Sequence, residues 1–320
     1  MRKDGRAPVR RDHESRPMRI LFITATRLGD AVISTGLLDY LLHAHPRARF
    51  TVACGPVAAG LFQRMPQLER LIIMTKKRHD LHWLALWKAC VRTRWDLVVD
   101  LRGSAMGFVL RSRACRVMRG GRRAGRRVAH VGEVLSLSPP PMPVVWTDES
   151  DRATARNVLG DGRFVAFGPT ANWAGKAWPT ENFVALWRRI AAVFPQRKLV
   201  VLYGPGAQEK TMAAPVLAIP GAIDAGGRFT LAQTAAMLQR CDLFVGNDSG
   251  LMHLAAAAGI PTLGLFGPSR VSEYAPSGPF AQWIVAPGPE GHALMAGLSP
   301  DLVAERALTM LTDGKMEAAE

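Results

Sequence analysis

Residues 241–269 read C-D-L-F-V-G-N-D-S-G-L-M-H-L-A-A-A-A-G-I-P-T-L-G-L-F-G-P-S, and they leave a folding chain few choices. Residues 243–245 are a short apolar run of the kind that makes a buried strand. Gly246, Asn247, Asp248, Ser249 and Gly250 make a turn, with Asp248 or Ser249 placed to cap a helix. Residues 251–258 are a helix of small and apolar residues closed by Gly259, and residues 262–266 are a second apolar strand stopped by Gly267 and Pro268. A helix with so little polar surface has to lie against a sheet, so the unit is a β–α–β crossover. Its polar groups gather at the corner where the first strand gives way to the helix.

That corner suits a diphosphate. The first amides of a helix have no internal partner and carry the positive end of its dipole. Ser249 adds a hydroxyl, Gly250 lets the backbone approach closely, and His253 lies about one turn in. The same residues also fit a plain tight turn, a helix cap and a buried histidine, so the choice rests on the rest of the chain.

With 320 residues and 48% apolar content the chain can build two ordinary domains with substantial cores. Cys54, Cys90, Cys115 and Cys241 have no C-x-x-C spacing and no histidine cluster beside them, which argues against a disulfide frame or a zinc site and for a reducing compartment. No run reaches the ~18 apolar residues of a membrane span. The basic start, residues 1–17, lacks the apolar segment of a secretory signal and reads as a disordered arm. Charge is uneven: residues 1–145 hold 27 Lys and Arg against 10 Asp and Glu, while residues 146–320 hold 14 against 16. The first half is therefore expected to face an anionic partner, whether nucleic acid, an anionic membrane surface or a phosphorylated substrate.

Along the first half, residues 19–23, 50–53, 71–74 and 96–101 read as strands. Residues 31–43 and 81–92 read as helices, the second with Trp83 and Trp87 on one face for core packing, and residues 24–30 as a loop. Eight arginines without an acid occupy residues 111–127, either as a solvated basic loop and face or as an anion-binding stretch. Residues 138–143, S-P-P-P-M-P, read as a linker and domain boundary. Beyond it, Thr147 or Asp148 caps a helix ending near Gly160. Strands follow at 164–167 and 199–203, and helices at 181–193, 209–218 and 231–239 precede the unit described above. Residues 301–311 form a closing helix. The result is two α/β halves: a domain over 18–143, a second over 144–312 and a frayed tail over 313–320.

Three further segments carry polar groups at strand ends, where ligands bind in open α/β sheets. T-R-L-G-D follows the first strand, and Asp30 there either caps the next helix or serves as a general base. G-P-T-A-N-W-A-G-K-A-W-P, residues 168–179, sets Lys176 between Trp173 and Trp178, either as a solvated lysine or as a cation held to neutralise a leaving phosphate. Gly204-Pro205-Gly206 is a fragment of a dinucleotide loop, with Glu209 behind it as a ribose contact.

Taken in order, R-I-L-F-I-x-x-x-R-L-G-D-A-V, G-P-T-x-N-W-x-x-K-x-W-P and N-D-S-G-L-M-H-L-A-A-A-x-G-I-P-T-L-G-L-F-G-P-S make the chain resemble glycosyltransferase family 9, the ADP-heptose:lipopolysaccharide heptosyltransferases. The resemblance spans residues 19–311. It implies a GT-B fold, two Rossmann-like domains facing across a cleft, with the acceptor on the N-terminal domain and the nucleotide sugar on the C-terminal one. Asp30 then matches the proposed catalytic base, and Lys176 the lysine near the donor phosphates. Asp248, Ser249, Gly250 and His253 match the donor-binding D-[ST]-G-x-x-H, with serine where threonine is common. Glu209 is a counterpart of a ribose-binding glutamate.

The reaction implied is inverting, metal-independent transfer of heptose from ADP-heptose, a co-substrate rather than a cofactor, to an acidic inner-core acceptor. No D-x-D sequence points to a metal. Arg27, Arg119, Arg122 and Arg123 are the expected acceptor contacts. The basic half fits a peripheral position on the anionic inner face of the inner membrane, in the cytoplasm. A UDP- or GDP-sugar donor is the alternative on the same fold. A basic nucleic-acid-binding protein is the alternative of another class, against which stand the lack of aromatics within the arginine run and of any helix-turn-helix or zinc-finger pattern.

Overall fold

The structure, a computed structural model, describes residues 16–119 and 123–316. Arg122, most of the expected basic arm and the end of the expected tail lie outside the described residues. The first half contains β1 (Arg19–Ile23), α1 (Leu28–Ala44), β2 (Arg49–Cys54), α2 (Ala59–Phe62), β3 (Leu68–Ile73), α3 (Leu81–Cys90), β4 (Trp95–Asp100), α4 (Met106–Val109), β5 (Ser112–Val117) and α5 (Arg127–Glu133). The second contains α6 (Glu149–Leu159), β6 (Arg163–Gly168), α7 (Thr180–Val193), β7 (Arg197–Val201), α8 (Ala207–Leu217), β8 (Ile223–Asp224), α9 (Leu231–Leu238), β9 (Cys241–Asn247), α10 (Gly250–Ala257), β10 (Thr262–Phe266), α11 (Val271–Tyr274), β11 (Ala281–Val285) and α12 (Pro300–Met316).

The strands form two parallel sheets, ordered β3-β2-β1-β4-β5 and β11-β10-β9-β6-β7-β8. Each sheet starts in its middle, runs to one side, then crosses back. That reversal leaves a crevice at the carboxyl ends of β1 and β4 in one sheet and of β6 and β9 in the other.

Strand alternation divides the core. Ile20 and Phe22 of β1 and Phe164 and Ala166 of β6 join a single apolar cluster that also takes in α1, α9 and α10, so it runs from one half into the other. Leu21 and Ile23 face the opposite side of the first sheet, with Leu86 and Trp95. Val165 and Phe167 face the outer side of the second, with Phe183 and Leu186. Fully burying each such side chain contributes about 1.5–3 kcal/mol, and covering both faces is why residues 20–23 and 164–167 are apolar at consecutive positions.

Several elements differ from what the sequence suggests. The helix after β1 begins at Leu28 rather than at residue 31, which puts Asp30 inside its first turn instead of in a loop. Residues 112–117 are not loop but an edge strand, whose exposed Arg113 and Arg116 keep that edge charged. Edge strands β8 and β11 and the short α11 also add to the expected set, and α12 runs to Met316. The proline segment lies on α1: the carbonyls of Pro141 and Met142 press on Gly36, and the Val144 amide donates to Thr35 Oγ1 at 2.8 Å. Asp148, not Thr147, caps α6 in a capping box with Asp151. Among the described residues no helix is long and apolar enough to cross a membrane.

Candidate active site

A cleft of about 700 Å³ opens between the two sheets. Its walls come from the segments that follow β1, β2, β6, β7, β9 and β10, all carboxyl ends, and the volume is ordinary for a small-molecule site. Arg27, Asp30, Lys176, Glu209, Asp248, Ser249, Gly250 and His253 all line it. These residues lie far apart in the sequence, and the two switch-point crevices bring them together.

The corner after β9 is built in layers. Asn247 is fully buried; its side-chain oxygen accepts from the Trp178 amide at 3.0 Å, and its nitrogen donates to the Pro169 carbonyl at 2.9 Å. Those two bonds fasten the long loop after β6 to the end of β9. Fastened there, the loop delivers Lys176 Nζ to Asp248 Oδ2 at 2.6 Å. Asp248 is buried and Lys176 largely so, which makes this the charged pair at the floor of the corner. The tryptophans flanking Lys176 play unequal parts. Trp178 is buried, edge-on to Phe183, with its indole N–H donating to the Leu298 carbonyl at 2.9 Å. Trp173 is 56% exposed and folds over Gly175, so the ion pair and Asn247 hold the lysine rather than a tryptophan clamp.

Ser249 occupies the cap position of α10, but its hydroxyl makes no capping bond and is buried without a partner. The expected side-chain cap is therefore absent, and the first amides of α10 start uncapped where Ser249 and Gly250 line the cleft. Glu209 braces two loops: its Oε2 accepts from Thr170 Oγ1 at 2.8 Å and from the Gly204 amide at 2.6 Å.

The opposite wall carries Asp30. Its Oδ1 is buried without a hydrogen-bond partner, and Arg127 Nε lies 3.5 Å away. The first turns of α1 and α10 abut, because both have glycine at the contact: Gly29 lies against the His253 ring and Gly250 against Leu28. His253 is buried at this seam. Burial lowers its proton affinity below the ordinary 6.5, against the opposing pull of Asp248 and Asp30.

The arginine run divides. Arg127 pairs with Asp30, and Arg126 crosses to the second half, donating to the carbonyls of Ala275 and Pro276 and to Ser277 Oγ at 2.9–3.1 Å while stacking over Trp283. Arg123 pairs with Glu133 at 3.0 Å, and Arg119 is exposed; neither lines the cleft. Thr170, Asn247, Arg126 and Arg127 are site or scaffold residues absent from the sequence-derived set. For Asn247 the signal was its place beside Asp248; for Arg126 and Arg127 the arginine run gave no way to choose among eight.

The arrangement sets a carboxylate on one wall of the cleft across from a lysine, a serine and the opening turn of a helix on the other. Known proteins resemble this chain in sequence and in architecture. A lipooligosaccharide heptosyltransferase 2 of Haemophilus influenzae is 22% identical over 302 residues, covering 81% of this chain and 86% of that protein. The glycosyltransferase family 9 structure from Veillonella parvula superposes with a TM-score of 0.77 at 21% identity, covering 92% of this chain and 97% of that one. The E. coli ADP-heptose lps heptosyltransferase II structure does so with a TM-score of 0.74 at 21% identity, over 93% and 100%. The two facing sheets are thus the GT-B fold. The sequence model described as glycosyltransferase family 9 (heptosyltransferase) matches residues 133–294, just over half the chain and all of the Lys176–Asp248–Ser249 corner. On that match the chain belongs to glycosyltransferase family 9 and is a glycosyltransferase.

Proposed function

We propose that this enzyme transfers heptose from ADP-heptose to an acidic lipopolysaccharide inner-core acceptor, with inversion at the anomeric carbon. The observation that carries the reading is that the Asp30 carboxylate, whose Oδ1 makes no hydrogen bond and has Arg127 3.5 Å away, lies across one cleft from the Lys176–Asp248–Ser249 corner. The names of its relatives, a lipooligosaccharide heptosyltransferase and an ADP-heptose enzyme, support the choice of donor and acceptor class.

In this mechanism the residues 144–312 half holds the donor and the residues 18–143 half the acceptor. Asp30 takes the proton of an acceptor hydroxyl as its oxygen attacks the anomeric carbon from the face opposite the diphosphate. The bond to the diphosphate oxygen breaks, and its electron pair leaves with ADP. Negative charge growing on that oxygen meets Lys176, the Ser249 hydroxyl and the amides that open α10. Lys176 is already held by Asp248, so little reorganisation is needed as charge develops. His253, kept neutral by burial, serves as a hydrogen-bonding partner rather than a second cation. Glu209 reads the ribose with the oxygen its loop bonds leave free, and Arg27 at the cleft mouth meets an anionic group of the acceptor. Protein cations do the work of a metal. The enzyme works peripherally on the inner face of the inner membrane, where a lipid-held acceptor and a soluble nucleotide sugar meet.

A donor panel in excess EDTA tests this directly. ADP-heptose is expected to support transfer and ADP to compete with it, while UDP- and GDP-sugars do neither. Transfer from a UDP- or GDP-sugar alone would keep the fold and discard the donor, and full dependence on added metal would discard the charge assignment.

A further inference from the structure

We propose that the outward face of α3 together with α4 is a docking surface for an anionic lipid bilayer. The proposal rests on the reading above that the acceptor is membrane-held, and it names the part of the enzyme that meets the lipid.

Helix α3 is turned the wrong way for an ordinary surface helix. Its inner face is provided by His82, Leu86 and Cys90, with Trp83 and Trp87 half-buried beside them. Its outer face, at the spacing of one helical stripe, is Leu81, Leu84, Ala85 and Lys88. Leu81 is 51% exposed and Leu84 46%, where polar side chains belong on a water-facing helix. Helix α4 touches α3 and adds Phe108, 84% exposed, and Val109.

A basic rim surrounds these apolar side chains. Lys76, Lys77 and Arg78 are exposed in the connection leading into α3, and Arg111 and Arg113 are exposed beside and on the edge strand that follows α4. Asp80 is the exposed acid among residues 74–119, since Asp96 is mostly covered and Asp100 buried. This charge decides the occupant. A second copy laid on the face would set one basic rim against another, whereas anionic headgroups match the rim and the acyl boundary takes the leucines and Phe108. An apolar anchor and a polybasic one are each weak alone and suffice together.

The position is also the right one for the reaction. The sheet is parallel, so the connections after β3 and β4 that carry the patch leave from the same edge as Asp30 after β1. A bilayer against α3 and α4 therefore meets the same carboxyl edge of the sheet that carries Asp30, from the face opposite α1.

The test is co-sedimentation of the full chain with vesicles of phosphatidylcholine, with and without phosphatidylglycerol. The unaltered enzyme is expected on the anionic vesicles and to leave them as salt rises. Leu84→Ser with Phe108→Ser should weaken partition about tenfold or more, and Lys76→Gln with Lys77→Gln should weaken binding to the anionic vesicles about tenfold or more while leaving partition onto neutral ones unchanged. Unchanged ADP affinity shows that these exposed substitutions leave the fold intact. Equal partition of Leu84→Ser/Phe108→Ser and unaltered enzyme overturns this surface while leaving the membrane-held acceptor standing. An unaltered enzyme that stays off both vesicle types overturns the surface and the peripheral placement together, and heptose transfer to a soluble acceptor fragment then judges the reaction separately. Dimerisation abolished by the same two substitutions also overturns it, giving the face to a second copy.

Discussion

Lys176 and Asp248 are each other's reason for being in the cleft. A buried carboxylate at the mouth of an anion cradle is tolerable only with a cation on it, and Lys176 supplies that cation at 2.6 Å. Lys176→Ala leaves Asp248 facing the incoming diphosphate, so the ADP dissociation constant should rise about 10- to 100-fold, the scale of a charged hydrogen bond at about 1.5–3 kcal/mol. Calorimetry showing less than about a twofold change would remove Lys176 from the donor site. His253 gives a second expectation, in stability. Its folded-state proton affinity lies below the ordinary 6.5, chiefly because it is buried, so over that window the unfolded chain binds more protons than the folded one. Stability contributed by neutral His253 is present above about pH 6.5 and is lost as pH falls toward the folded value. Tm measured against pH should drop more steeply below pH 6.5 for the unaltered chain than for His253→Gln; parallel curves contradict the buried neutral ring. Residue identities in this site were readable from the sequence because each sits in a compact local pattern. Their partners were less so: Asp248 beside Lys176, and Arg127 beside Asp30, are separated by long stretches of chain and meet only through the tertiary fold.

At the scale of elements, the seam between α1 and α10 sets the cleft. A Cβ on Gly250 would lie 2.7 Å from Leu28 Cδ2 and 2.9 Å from Leu28 Cβ, and the latter cannot swing away. Gly250→Ala gains some helix propensity, below about 1 kcal/mol at a helix start, but overpacking costs about 1–3 kcal/mol. A net loss of stability in urea unfolding, together with weaker ADP binding as the first turn of α10 shifts, is expected. An equally stable variant with unchanged ADP binding would show the contact to be loose. The central strands were legible because burial on both faces writes a continuous apolar run, as in R-I-L-F-I of β1. Strands β5 and β11 were not, since an edge strand is half exposed and S-R-A-C-R-V carries the charge that protects it. The start of α1 was misplaced for a related reason. Residues 24–30 look like a loop because Arg27, Gly29 and Asp30 are poor signals of a buried helix, yet Gly29 is what lets that turn approach His253.

Across the whole molecule, two sheets of the same winding are held edge to edge by α1 on α10, by Arg64 on Asp148 and Asp151, and by Arg126 reaching the carbonyls of Ala275 and Pro276. That joint places the Asp30 carboxylate of one half across the cleft from the Lys176–Asp248–Ser249 corner of the other, an arrangement that neither half provides alone. In the proposed reaction the charge surplus of the first half serves the acceptor, and the donor lies on the near-neutral half. Composition revealed this asymmetry but not its uses: of the described arginines in the basic run, one guards Asp30, one ties the halves together and others stay on the surface. The most direct measurement is heptose transfer by Asp30→Asn with ADP binding followed in parallel. Turnover reduced about 10²- to 10⁴-fold with ADP affinity retained is the expected result, the scale of a lost general base. Near-normal turnover would contradict Asp30 as the base and, with it, the division of the cleft into an acceptor wall and a donor wall.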